Sequence, residues 1–143
     1  MQIFNIYEAT CDTIAVMLPK QKGDMALGRA ISHFLSNGYE VCLPIGDKRD
    51  YDLVIEKEGE LARVQVKYAG LHRGMKTCKA ALRVMGGNQS YYSAKKYTDD
   101  AFEYLFVYTA KGESFLLPWK DVQVRTVLCV EAPMYSTYRV MQG

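Results

Sequence analysis

The chain predicts an α/β or α+β fold built on a mixed β-sheet, and two observations predict it. A stretch with helical spacing of apolar residues precedes three short runs with strand character. Two further alternating runs then return after a basic, glycine-containing segment. At 143 residues the chain fits one domain, residues 1–143, long enough to bury a core without disulfides or a structural metal.

The first eighteen residues are ambiguous between helix and strand, and Pro19 is expected to end whatever they form. From Asp24 to Ser36, Met25, Leu27, Ala30, Ile31, Phe34 and Leu35 recur at helical spacing, and Asn37-Gly38 supplies a stop. The run "YEVCLPI" reads as a short strand ended by Pro44, with Cys42 as a small core residue. "YDLVIE" and "LARVQVKYA" alternate around Lys57-Glu58-Gly59-Glu60, a hairpin signal. "FEYLFVYTAKGESFLLPW" reads as two strands joined at Lys111-Gly112, and "VQVRTVLCV" as a strand or short helix.

Composition narrows the class. With 49% hydrophobic and 24% charged residues, this is the balance of a soluble globular protein. Glu8 and Asp12 interrupt the apolar N-terminal stretch well short of a membrane span. Cys11, Cys42, Cys78 and Cys129 have no CxxC spacing, and only His33 and His72 could join them, which argues against zinc. Without a signal-peptide pattern, reduced thiols and a cytoplasmic location are expected.

Charge is segregated along the chain. Seven of the 18 Lys and Arg residues fall between Lys67 and Thr98, and none of the 16 Asp and Glu residues does. Such a stretch suits a polyanion on one face.

The hairpin poses the chemical question. Alternation puts Asp50, Asp52, Val54 and Glu56 on one face of its first strand, and Tyr51, Leu53 and Ile55 on the other. On the second strand Arg63, Gln65 and Lys67 share a face, opposed by Val64 and Val66. A turn centred on Glu58-Gly59 sets Asp52 opposite Gln65, with Cβ atoms roughly 5 Å apart and Lys67 on the near diagonal. A carboxylate and an amide oxygen at that separation can share a hard divalent cation such as magnesium. A neighbouring lysine can orient a water or stabilise charge on a phosphate.

The block "KGDMALGRAISHFLSNGYEVCLPIGDKRDYDLVIEKEGELARVQVKYAG" resembles the PD-(D/E)XK nuclease superfamily. Within it, the chain is similar to the group I intron-associated homing endonucleases of that fold. The likeness rests on Lys-Gly-Asp at the helix start, Gly-Tyr before the first strand, a Gly-Asp turn, Tyr-Asp-Leu, and Val-Gln-Val-Lys. It covers residues 22 to 70 well and the later strands more loosely.

This resemblance implies an α/β, restriction-endonuclease-like core: a mixed central β-sheet flanked by helices. It implies a Mg2+-dependent endonuclease on double-stranded DNA, with Mn2+ as a substitute, working as a homodimer or homotetramer. Asp52, Gln65 and the Val66 carbonyl would bind the metal, and Lys67 would position the attacking water. Two departures stand out. Gln65 replaces the acid of the (D/E)xK pair, and Leu27 stands where many relatives carry a helix Glu. Asp24 or Glu8 is then left to supply the further acid. His72, Arg73, Lys76, Lys79, Arg83, Lys95 and Lys96 are the expected phosphate contacts, with Arg83, Asn88 and Gln89 the side chains able to read base edges. A structure-selective nuclease of the Holliday junction type, or a catalytically silent DNA-binding module, are the alternatives.

Overall fold

A computed structural model describes residues 17–46, 48–84 and 95–141. Among the described residues the α-helix, α1, spans Pro19–Ser36. Pro19 opens this helix, and the residues it was expected to terminate lie outside the described ones. In the first turn the missing N–H of proline costs nothing and its fixed φ suits the helix. The Leu18 N–H donates to Gln21 Oε1 at 2.9 Å, tying down the start. At the far end Asn37 and Gly38, with φ of +76°, close the helix as the sequence leads one to expect.

The strands follow as β1 (Glu40–Cys42), β2 (Leu53–Lys57), β3 (Glu60–Ala69), β4 (Ala80–Ala81), β5 (Arg83–Val84), β6 (Lys95–Lys96), β7 (Tyr104–Thr109), β8 (Ser114–Pro118), β9 (Val127–Leu128) and β10 (Arg139–Val140). Six form the main sheet, in the order β1-β2-β3-β7-β8-β10. β3 and β7 run parallel, from Val64 beside Tyr104 to Ala69 beside Thr109, and the other pairings are antiparallel. The sheet is therefore mixed. Glu58 (φ 54°) and Gly59 (φ 86°) both take positive φ in the β2–β3 turn, a two-residue geometry that follows strand twist. That turn fixes the register with Leu53 opposite Val64.

A parallel pair needs a long crossover, and residues 70–103 between β3 and β7 supply it. The basic segment is this crossover. It carries the β5–β6 ribbon, where Arg83 faces Lys96, and it is pinned near its start by the Gly70–Lys79 bridge.

Alternation along β3 and β7 divides the core in two. On one face Ala26, Ala30 and Phe34 of α1 pack on Leu53, Ile55, Val64, Val66 and Phe106. On the other, Leu105, Val107, Phe115 and Leu117 meet Leu82, Tyr97, Phe102 and Trp119. Among the described residues this second layer contains no α-helix. It is built from the crossover, short strands and 3-10 turns at Trp119–Asp121 and Pro133–Tyr138.

Two local expectations change. Cys42 is exposed, because β1 is a short edge strand, and among the described residues the buried cysteine is Cys78 under the crossover. Of "VQVRTVLCV" only Val127–Leu128 pairs as a strand, against β4. No described helix is long and apolar enough to cross a membrane.

Phe34 is fully buried and joins α1 to the sheet through Phe106 and Tyr39, with ring centroids 6.1 and 5.6 Å away. Phe34→Ala should cost about 3–5 kcal/mol, measured as a lower urea midpoint at unchanged slope. A loss under about 1 kcal/mol would show that α1 is not held by this contact.

Candidate active site

A cleft of 730 Å³ lies between the N-terminal half of α1 and the end of β3, and Asp52, Gln65, Val66 and Lys67 line it together. Regular pairing in β2 stops at Leu53, and Asp52 sits in a bend just before it. The Asp52 N–H still donates to the Val64 carbonyl at 2.9 Å. Its carboxylate Oδ2 accepts the Val66 N–H at 2.8 Å. The acid is thus bolted to the strand that carries Gln65 and Lys67. The bend also breaks the expected alternation, for Tyr51 packs into the second core rather than beside Leu53 and Ile55.

Gln65 is only 6% exposed, and its Nε2 donates to the Val66 carbonyl at 3.2 Å. Lys67 is half-buried, with Nζ 5.3 Å from the centre of the Tyr97 ring. Burial raises the Asp52 pKa, opposed by the Val66 hydrogen bond and the Lys67 charge. Burial likewise lowers that of Lys67, opposed by Asp52. An acid and a base held away from their ordinary titration ranges in one cleft make it a candidate functional site.

The oxygens of Asp52, Gln65 and Val66 are of the kind that binds hard cations, but the group is short of charge. No set of three Asp, Glu, His or Cys side chains suited to a metal occurs among the described residues. Asp24 is exposed in the second turn of α1 and lines the same cleft, as does Leu27. Glu8 lies outside the described residues.

A sequence model of the PD-(D/E)XK endonuclease family matches residues 17–139. The chain belongs to this family. Among solved structures the nuclease is similar to the bacterial homing endonuclease I-Ssp6803I, at 26% identity and a TM-score of 0.69, over 84% of this chain and 87% of that one. No curated protein sequence matches the chain. Nucleases of this family generally use divalent metals.

The expected DNA contacts divide by position. His72, Arg73 and Lys76 are exposed on the loop at the start of the crossover. Lys79 is half-buried where that loop closes on Gly70. Arg83 lines the nuclease cleft itself, and Lys95 approaches Asp50 at 3.9 Å. Asn88 and Gln89 lie outside the described residues. Three side chains were not foreseen. Lys20 and Lys22 line the cleft from the first turn of α1, and Tyr97 stands against Lys67. The two lysines were visible in "PKQKGD" once Pro19 is taken as the helix start; no local pattern marks Tyr97.

Because the Asp52 pKa is raised, its ionised form favours the unfolded chain. The penalty is absent below the ordinary carboxylate range and builds as pH rises through it towards the raised folded value. Asp52→Asn should therefore raise the melting temperature of the metal-free nuclease at pH 7. The gain should vanish near pH 3, where the carboxyl is protonated in both states. Equal melting temperatures at both pH values would mean that Asp52 carries no burial penalty.

Proposed function

We propose that the protein is a magnesium-dependent endonuclease that cuts double-stranded DNA at defined sites, in the manner of homing endonucleases. The observation that carries this reading is the gathering of Asp52, Gln65 and Lys67 in one cleft bordered by Lys20, Lys22 and Arg83. Asp52 and the oxygens of Gln65 and Val66 would hold the metal ion, with Asp24 as the further acid on the α1 wall. When bound, the metal supplies Lewis-acid stabilisation of the phosphate and a more acidic water.

The remaining work falls to the chain. Val66 fixes the Asp52 carboxylate through its N–H, so the acid needs no reorganisation when substrate arrives. Lys67 orients the attacking water at Nζ and carries positive charge beside the phosphate. Arg83, Lys20 and Lys22 hold the flanking phosphates. The exposed His72, Arg73 and Lys76 and the β6 lysines Lys95 and Lys96 extend the track along the backbone. Cutting both strands calls for two such clefts, so a homodimer or homotetramer is part of the proposal.

Plasmid cleavage with magnesium tests the chemistry. Lys67→Ala and Asp52→Ala should each lower the rate about 100-fold or more with duplex binding retained. Gln65→Leu should also lose activity, whereas Gln65→Glu keeps it. A wild type that binds duplex but never cuts would favour the silent module, which the lone carboxylate beside Val66 also suits. Preference for a four-way junction over duplex would favour the resolvase type.

The DNA track has its own test. Removing the charges of Arg73, Lys76 and Lys79 together should weaken binding to all duplexes. It should also flatten the slope of log affinity against log salt by roughly one unit per lost contact. An unchanged slope would place DNA away from the start of the crossover.

A further inference from the structure

We propose that Tyr97 is a positioning residue for Lys67, its ring face holding the ammonium group in line with the cleft; this rests on the nuclease reading above. Lys67 Nζ lies 5.3 Å from the Tyr97 ring centre, within the range of a cation–π contact. A buried lysine has lost most of its water, and the face of an aromatic ring replaces part of that solvation without accepting a proton.

The ring is itself immobile. Tyr97 is 6% exposed and meets Phe102 edge-on at 5.1 Å and Trp119 at 6.1 Å with the planes perpendicular. Trp119 is fixed in turn, since its Nε1 donates to the Thr98 carbonyl at 2.9 Å. Lysine side chains carry large rotamer entropy, and β3 fixes only the backbone of Lys67. A ring locked by two others supplies the missing constraint from outside the strand. Burial, together with the Asp52 and Asp50 carboxylates, pushes the Tyr97 phenol well above its usual range. The phenol is thus neutral, and it is the ring face that Lys67 Nζ approaches.

Tyr97 also directly follows Lys96, which pairs with Arg83 in the β5–β6 ribbon. The residue that orients Lys67 is thus one peptide away from a strand assigned to the phosphate track. A displacement of that ribbon by DNA is transmitted to the lysine through a single rigid side chain.

A fluorine series tests the contact without emptying the core. Tyr97→Phe, followed by progressively ring-fluorinated phenylalanines at position 97, keeps ring size while draining charge from its face. The single-turnover cleavage rate at saturating duplex should fall stepwise, by about tenfold overall, with duplex affinity unchanged. A merely structural ring would give a flat series. A second readout needs neither metal nor DNA. In protein labelled with carbon-13 lysine, the Lys67 ε-methylene signal, assigned by its loss in Lys67→Met, should be displaced upfield by the ring. The displacement should persist in Tyr97→Phe and disappear in Tyr97→Leu. A flat series in an enzyme that cuts, or a Lys67 signal lying among those of exposed lysines, overturns the assignment. A wild type that cuts no DNA overturns the nuclease reading instead, and the resonance then decides the Tyr97 contact by itself.

Discussion

Pairing of β3 along both of its edges is the constraint on which the rest of the structure depends. It runs antiparallel to β2 and parallel to β7, so its backbone is committed on both sides. Its side chains can then go only up or down. Val64 and Val66 point to α1 and fill one core. Gln65 and Lys67 are left to the opposite face, beside a layer anchored by Trp119 and Phe115. A strand covered on both faces ordinarily carries an unbroken apolar run. Polar groups in such a place destabilise unless they are paired. Here partners are supplied: Gln65 donates to the Val66 carbonyl, and Lys67 has a ring face and the charge of Asp52. Burial still displaces Asp52 and Lys67 from their ordinary ranges, a cost in stability of the kind functional sites carry.

The same pairing accounts for the basic segment. Parallel neighbours cannot be joined by a tight turn, so the chain must leave the sheet after β3 and cross to reach β7. The crossover begins just beyond Lys67 and ends at Tyr104, and it brings Ala81 and Arg83 to the cleft wall. Its first loop is fastened as well as displayed. Lys111 donates to the Lys76 carbonyl at 2.7 Å and pairs with Glu131 at 2.5 Å, while Glu131 also accepts the Cys78 N–H at 2.6 Å. Under the proposed function, one piece of chain would serve both topology and substrate binding.

Much of this was legible in the sequence wherever one local rule governed. Asn37-Gly38 needed only the conformational freedom of glycine to mark a helix end. Glu58-Gly59 fixed the hairpin register through its turn geometry, and register decided which residues share a face with Lys67. Local rules failed where tertiary contacts outweighed them. Apolar spacing marked the helix only from Asp24, whereas α1 begins at Pro19 with a largely exposed first turn that no apolar residue announces. The bend at Asp52 followed from its hydrogen bond to Val66, which no alternation rule contains. Cys42 sits in an apolar run but on an edge strand, so sheet order rather than composition set its exposure. Tyr97 reaches Lys67 from across a crossover, a distance in sequence that no short pattern spans.

The identity of the Gln65 side chain also bears on what the cleft attracts. Among the described residues lining it, Asp24 and Asp52 face Lys20, Lys22, Lys67 and Arg83. An acid at position 65 would bring these charges nearer to balance; glutamine leaves the cleft net positive. A positive cleft with desolvated walls draws a polyanion strongly and a free divalent cation weakly. Under the proposed function, phosphate and cation would be complementary loads: the backbone would bring the negative charge that the protein omits, and the cation would offset the crowding of phosphate oxygens against Asp52. The missing carboxylate would then tie the electrostatic completion of the site to the presence of nucleic acid. For a cleft whose buried acid and buried base already offset each other, glutamine spares the metal-free and DNA-free protein a further buried charge.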